Sequence, residues 1–366
     1  MNSICSFRSI SITLIILSSF YVGNSQSETD VENLIVITLD GVRWKEVFGG
    51  ADSVLLNNPK FLKTEGNRLS KKFWDDTKHA RRKRLMPFLW SEVSSQGRIY
   101  GNRWCNNRVN VSNKTNISNP GYSEIFTGYA DPEINSNELK YNKNTSVFEF
   151  INQQEDFAGK VAAFASWDRI HGYLNSHKND FIISGGYSTS PGTDESFLQQ
   201  TLNSLQTIIH RKESSRPDYI TYLHAKEFIR IKRPKLLSIG FAWTDDMAHD
   251  GSYPMYLEKI FTFDAMIEDL WNYLETIPQY KNKTALLITV DHGRGDNENW
   301  TSHGPRVPHS NEIWFAIMGP GISPKGEMKE SNITIYQNQF AATISNLLGY
   351  KFKSENVIGD SIDFDK

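Results

Sequence analysis

The stretch Leu34–Gly41, LIVITLDG, is a run of β-branched and aliphatic residues that stops at an aspartate and a glycine. An unbroken apolar run of this length reads as a strand buried on both faces. Lys160–Ala165, Lys235–Trp243, Thr284–Val290 and Ile313–Met318 have the same character. Helical stretches separate them: Ser196–Lys212, Asp218–Ile231, Tyr253–Ile277 and Gln337–Leu348, the last closed by Gly349. In Tyr253–Ile277, Leu257, Ile260, Phe261, Asp264, Ile267 and Leu270 recur at helical spacing. Buried strands separated by helices predict an α/β fold, a central, mostly parallel sheet sandwiched between helices. Ala51–Lys83 is polar and poorly periodic and reads as an insertion or loop, as does the Asn-rich stretch 128–146. With no repeat and no low-complexity linker, residues 26–366 are read as one domain.

In such sheets function gathers at the carboxyl ends of strands. Asp40, Thr244-Asp245 and Asp291-His292 all fall just past the end of an apolar run. Asp245 and His249, four apart in TDDMAHD, share one side of a helix or tight turn. Asp291 and His292 are adjacent and, if extended, diverge toward different partners. His303 follows a polar, glycine-containing loop. Carboxylates and neutral imidazoles are the ligands a divalent transition metal takes. Each piece alone has a structural reading: an incidental Asp-x-x-x-His, a capped turn after a strand, an ordinary strand-to-turn junction at Asp40-Gly41. His309, in RVPHS, competes with His303 as a ligand.

Taken in order from Leu34 to Gly349, the pattern resembles the alkaline phosphatase superfamily, especially its nucleotide pyrophosphatase/phosphodiesterase-like and phosphoglyceromutase-like branches. The resemblance implies one metal held by Asp40, Asp291, His292 and the nucleophile, and another held by Asp245, His249 and His303. It implies two divalent ions, with Zn2+ favoured over Mn2+ by the His-rich ligand set. The nucleophile it implies is Ser118, in SNPGYSEIFTG (118–128), at the start of a helix beginning near Pro120. A serine hydroxyl is a weak nucleophile until a metal favours its alkoxide, and a helix N-terminus suits a phosphate. Ser118 could instead be a plain helix cap; Ser123 is a second candidate, disfavoured by its place inside the helix. The activity implied is hydrolysis of a small-molecule phosphate ester or diester through a phosphoseryl intermediate.

Departures from the pattern narrow this. Sulfatases share the fold, but Tyr122 stands where their signature carries an arginine, so sulfate ester hydrolysis is the second reading. A mutase would need an inserted domain for which the chain has no room. Phosphodiesterase-like members use an asparagine about twenty residues after the nucleophile; Asn137 is preferred here over Asn135. Arg43, Arg294 and Arg306 could grip phosphate oxygens or form internal ion pairs. Trp44 and Trp300 could stack on a base or aryl group, or pack in the core. A non-catalytic, metal-binding member of the fold is the reading of another class.

The remaining features concern compartment and partners. Arg8, the apolar stretch Ile10–Val22 and the small residues Gly23 and Ser25 form a secretory signal over residues 1–25, too short and serine-rich for a membrane span. Its removal takes the formal charge from −2 to about −3, and no basic face for nucleic acid is implied. The one basic cluster, Arg81–Arg84, reads as a solvated helix start. Cys5 leaves with the signal, so Cys105 has no intrachain partner. Glycosylation sequons begin at Asn110, Asn113, Asn116, Asn144, Asn282, Asn299 and Asn332, and the one at Asn116 uses Ser118 itself. A glycan there would obstruct the site, which fits a secreted or periplasmic bacterial protein better.

Overall fold

The computed structural model describes residues 30–62, 66–189, 196–209, 215–331 and 333–364. The signal read over residues 1–25, and Asn332 of the last sequon, lie outside the described residues. In chain order the strands are β1 (Asn33–Leu39), β2 (Gly97–Tyr100), β3 (Arg108–Asn110), β4 (Val161–Ala165), β5 (Ile182–Gly185), β6 (Leu236–Phe241), β7 (Thr284–Thr289), β8 (Glu312–Ile313), β9 (Phe315–Met318), β10 (Gly326–Glu327) and β11 (Thr334–Tyr336). Eight form one sheet in the order β10-β2-β9-β7-β1-β6-β4-β5, and β11-β3-β8 form a second, small sheet. Pairing through β7-β1-β6-β4-β5 is parallel throughout; β9 alone runs against its neighbours. Every residue of β1, β6 and β7 is buried, so both faces of the sheet centre are covered. This is the α/β architecture expected.

Chain order reverses about β1, whose neighbours β6 and β7 come late in the sequence. The carboxyl ends of β1, β6 and β7 therefore lie side by side, and a crevice opens where such an order switches. The strand expected over Lys235–Trp243 is shorter, Leu236–Phe241, because the chain turns at Ala242 into a helix, Trp243–His249. The loop expected over Ala51–Lys83 is a set of short helices, including Ser53–Leu56, Pro59–Leu62 and Gly66–Phe73, followed by Lys78–Leu85. Each covers one or two turns, too few to print a periodicity, and each docks by one or two apolar anchors such as Leu55, Phe61, Phe73 and Leu85. Arg81 of the basic run is not a solvated side chain; it is buried and donates to the carbonyls of Gly49, Asp75 and Asp76. Strands β2 and β5 were not expected: each has four residues, and β2 carries the buried Arg98.

Asp264, buried inside the helix Tyr253–Glu275, accepts the Phe88 N–H at 2.7 Å and the Leu89 N–H at 3.0 Å. These are donors of the turn that begins after Met86, which would otherwise be orphaned. Burial pushes its carboxyl up to about 7, against the two N–H groups that lower it. Because the folded value exceeds the unfolded value of about 3.9, this group's contribution to stability grows as pH falls through about 7 and is complete below about 4. Asp264→Ala is expected to lower stability by roughly 2–4 kcal/mol in urea unfolding. Asp264→Asn should cost less and flatten the rise in stability between pH 8 and pH 5; an unchanged slope would show that the carboxyl does not titrate in that range.

Candidate active site

Asp40 follows β1, Asp245 and His249 lie on the short helix after β6, and Asp291 and His292 follow β7. Gly41 has φ +61°, and a Cβ there would come within 2.9 Å of both Arg294 Nη1 and Asp245 Oδ1, so the turn after Asp40 requires glycine. Asp218, on another helix, accepts the N–H groups of Ala242 at 3.0 Å and Trp243 at 2.9 Å. It thereby fixes the start of the helix that presents Asp245 and His249. The Thr244 hydroxyl donates to the Asp40 carbonyl, and Gln337 Nε2 donates to the carbonyls of Val290 and Asp291.

The side chains converge in two sets, Asp40 with Asp291 and His292, and Asp245 with His249 and His303, each with ligand atoms within 4.8 Å of one another. In the inner set, His292 Nε2 lies 3.4 Å from Asp40 Oδ1 and 3.4 Å from Asp291 Oδ2. In the outer set, His249 Nε2 lies 3.1 Å from Asp245 Oδ2 and 3.1 Å from His303 Nε2, and His303 Nε2 lies 3.7 Å from Asp245 Oδ1. Ligands around a tetrahedral zinc, at bonds of about 2.0–2.1 Å, stand about 3.3 Å apart, so both sets have the spacing to close on an ion. The ring orientations agree. His292 Nδ1 is 2.9 Å from the Gly293 carbonyl and His303 Nδ1 is 3.0 Å from the Asn116 carbonyl. With Nδ1–H donating to a carbonyl, each Nε2 carries the lone pair that points inward. Asp40 Oδ1 and Asp291 Oδ2 are buried without a hydrogen-bond partner. Anionic oxygens left so are costly unless a cation meets them, so the donor set fits a divalent ion.

Electrostatics differ between the sets. Burial, then the neighbouring Asp291 and Asp245, raises the Asp40 carboxyl well above its ordinary value; burial also raises Asp291. Burial resists ionisation of Asp245 too, but the Arg294 guanidinium and the surrounding histidines outweigh it and hold that carboxyl well below the usual range. Burial, reinforced by His292, pushes His303 down to about 2, so its imidazole is neutral.

Ser118 opens the helix Ser118–Thr127, two residues earlier than the helix start expected at Pro120. The cap position is Ile117, so Ser118 is not the cap. The Asn119 N–H is instead accepted by Asn137 Oδ1 at 3.0 Å. Ser118 Oγ lies 3.2 Å from His292 Nε2, beside the inner set. Gly121 lets this helix approach the end of β7: a Cβ there would lie 2.2 Å from the Asp291 carbonyl oxygen. Ser123 is buried and its hydroxyl accepts from Asn142, away from the ligands. Asn137 is exposed and next to the start of the Ser118 helix.

Several sequence candidates fall elsewhere. His309 faces Glu312 and Asp296 and belongs to neither set. Arg43 is buried and pairs with Glu46, and Arg294 pairs with Asp245 while donating to the carbonyls of Trp300 and Thr301. Both take the internal-pair reading; Arg306 is exposed. Trp300 is fully buried against Phe61, Tyr253 and Tyr256, and Trp44 is buried with its indole N–H on Glu312, so neither is a stacking platform. Sequence reasoning noted Tyr122 only as a departure from the sulfatase pattern and missed that its hydroxyl donates to Asp40 Oδ2 at 3.3 Å; it missed Asp218 altogether. An aspartate opening a helix far from the ligands carries no signal of the helix it will cap.

The family model that matches the chain, together with the fold, places it in the alkaline phosphatase superfamily of hydrolases. Within it, the chain belongs to the type I phosphodiesterase/nucleotide pyrophosphatase family, whose model matches residues 57–342. Among solved structures, the alkaline phosphatase PafA is similar over 93% of this chain and 99% of that one, with a TM-score of 0.59 at 12% identity. The lipoteichoic acid synthase LtaP from Listeria monocytogenes is similar over 93% and 78% of the two chains, with a TM-score of 0.55 at 13% identity. A 2-O GAG sulfatase is similar over 90% and 72%, with a TM-score of 0.55 at 14% identity. At such identities the likeness is one of fold. No curated protein sequence matches the chain.

Proposed function

We propose that the protein is an exported, two-metal phosphoric diester hydrolase acting through a phosphoseryl intermediate. The observation that carries the reading is the Ser118 hydroxyl, held at a helix start within 3.2 Å of His292 and beside two acid–imidazole sets. Asp40, Asp291, His292 and Ser118 would hold one ion, and Asp245, His249 and His303 the other, with zinc favoured by the imidazole content. When bound, the ions would supply Lewis-acid stabilisation of the attacking and leaving oxygens. Ser118 Oγ loses its proton and attacks phosphorus in line, the bond to the leaving oxygen breaks and that oxygen takes up a proton to leave as the alcohol, and water then cleaves the phosphoseryl ester, returning a proton to Ser118 and releasing the phosphate product. The N–H groups opening the Ser118 helix and the Asn137 amide hold the phosphate oxygens. For that, the Asn119 N–H exchanges Asn137 Oδ1 for a substrate oxygen.

Diester is preferred to monoester because the family is one of phosphodiesterases and pyrophosphatases, and because Arg43 and Arg294 are consumed in internal pairs. Sulfate chemistry is disfavoured by Tyr122, which occupies the place of the sulfatase arginine and donates to Asp40. Export rests on the signal read over residues 1–25, and residues 26–366 would then act as one catalytic domain. No helix of the described residues is long and apolar enough to cross a membrane.

The test is a panel of p-nitrophenyl esters: phosphate, bis-phosphate, the thymidine monophosphate ester and sulfate. Each is assayed on protein from Gln26 onward, after chelation and after zinc is restored. Zinc-restored turnover is expected, with a diester preferred by roughly tenfold or more over the monoester. Sulfate turnover alone would replace the reading with the sulfatase one. Bound metal without any turnover would replace it with a non-catalytic member of the fold.

A further inference from the structure

We infer that the two metal positions are unequal, and that Arg294 makes the outer one, formed by Asp245, His249 and His303, the weaker and exchangeable position. The inference rests on the reading of these residues as metal ligands. The inner set brings two carboxylates together with no Lys or Arg ion pair to either among the described residues. Neutral donors alone touch them, the Gly41 N–H on Asp291 at 3.1 Å and the Tyr122 hydroxyl on Asp40. One oxygen of each is buried and unpartnered. A divalent cation would satisfy both in their ionised form.

The outer set is already satisfied without an ion. Arg294 pairs with Asp245 Oδ1 and His249 Nε2 with Asp245 Oδ2, and His249 Nε2 also lies 3.1 Å from the lone pair of His303 Nε2. None of the outer residues has a buried atom without a partner. Arg294 cannot turn aside, because its Nε donates to the Trp300 carbonyl at 2.9 Å and its Nη2 to the Thr301 carbonyl at 2.7 Å. Those carbonyls belong to the loop that delivers His303, so the same guanidinium shapes the site and cancels the charge of its only carboxylate. A divalent ion entering there meets a fixed positive charge beside its ligand, whereas at the inner set it takes the place of protons on two carboxyls that no Lys or Arg among the described residues opposes. Exposure adds to this: the His249 side chain is 48% exposed, against 0% for His292. A partly wet ligand shell lets an ion exchange.

The experiment is titration of the chelator-stripped full chain with Co2+, followed by its visible absorption, and with Zn2+ by calorimetry against a competing chelator. Wild type should bind in two steps differing by roughly tenfold or more in affinity. Gel filtration in metal-free buffer should leave roughly one ion per chain. His249→Ala should remove the weaker step alone. Arg294→Gln should tighten the weaker step by roughly tenfold, and Arg294→Lys, which keeps the charge, should leave it weak. Two equal steps in wild type would overturn the inference, as would an Arg294→Gln protein that is folded by circular dichroism and no tighter. If that variant does not fold, His249→Ala decides, because survival of the weaker step there would equally overturn the assignment. No binding of either ion by wild type would remove the metal reading itself.

Discussion

Ser118→Ala is expected to lower kcat/KM for the preferred ester by roughly three orders of magnitude or more, while leaving the fold intact. Attack at phosphorus needs an oxygen at the start of the helix, and the nearest other candidate, Ser123, has its hydroxyl held by Asn142 on another side of that helix. The stability cost should be under about 1 kcal/mol, because Ser118 does not cap its helix and alanine is a good helix former. Asn137 does the capping and remains. Acid quenching of wild type with labelled substrate should trap label on the chain, and Ser118→Ala should trap none. Ser118→Thr keeps a hydroxyl on the same carbon and should retain much of the activity. A Ser118→Ala protein within tenfold of wild type would exclude Ser118 as nucleophile.

The parts of the site that could be read from sequence are those where local pattern and chemistry coincide. LIVITLDG declares both a strand and the acid at its end, because a central parallel strand must be apolar at every position and its carboxyl end is where polar side chains become tolerable. The same holds for Asp291 and His292 after Thr284–Val290. What sequence did not disclose are groups that act on a ligand from a distant element. From sequence Arg294 reads equally as a grip on phosphate or as an internal ion pair, and only the fold decides, closing it onto Asp245 and two carbonyls. Arg43 reads the same way and is spent on Glu46. Trp300 reads either as a stacking platform or as a packed residue, and the fold makes it a core residue, because Tyr253 and Tyr256 of the helix Tyr253–Glu275 enclose it. Short elements such as β5 and the helices after Ala51 stayed hidden for a simpler reason: four residues do not complete a period.

Asp291→Asn is expected to separate stability from metal binding. In the metal-free chain, Asp291 and Asp40 are buried acids side by side, and burial drives both toward the protonated form. Asparagine keeps the oxygen that accepts the Gly41 N–H and turns an amide toward Asp40 in place of a second acid. The stripped variant should therefore unfold at the same temperature as stripped wild type or above it. Zinc should raise the wild-type midpoint: an ion at a thousandfold excess over its Kd contributes about 4 kcal/mol, on the order of 8 °C for a chain of this size. Asp291→Asn should lose most of that rise and most of the turnover together, since the inner position would be left with one carboxylate, one imidazole and the Ser118 hydroxyl. Removal of a buried, paired acid usually destabilises; Asp291 has no Lys or Arg partner among the described residues to lose. Here the fold buries two acids side by side at the cost of their ionisation, and an ion would supply the charge that compensates them once they ionise. If stripped Asp291→Asn were less stable than stripped wild type by several degrees yet kept its full zinc response, Asp291 would be a structural acid and the inner ligand set would be wrong.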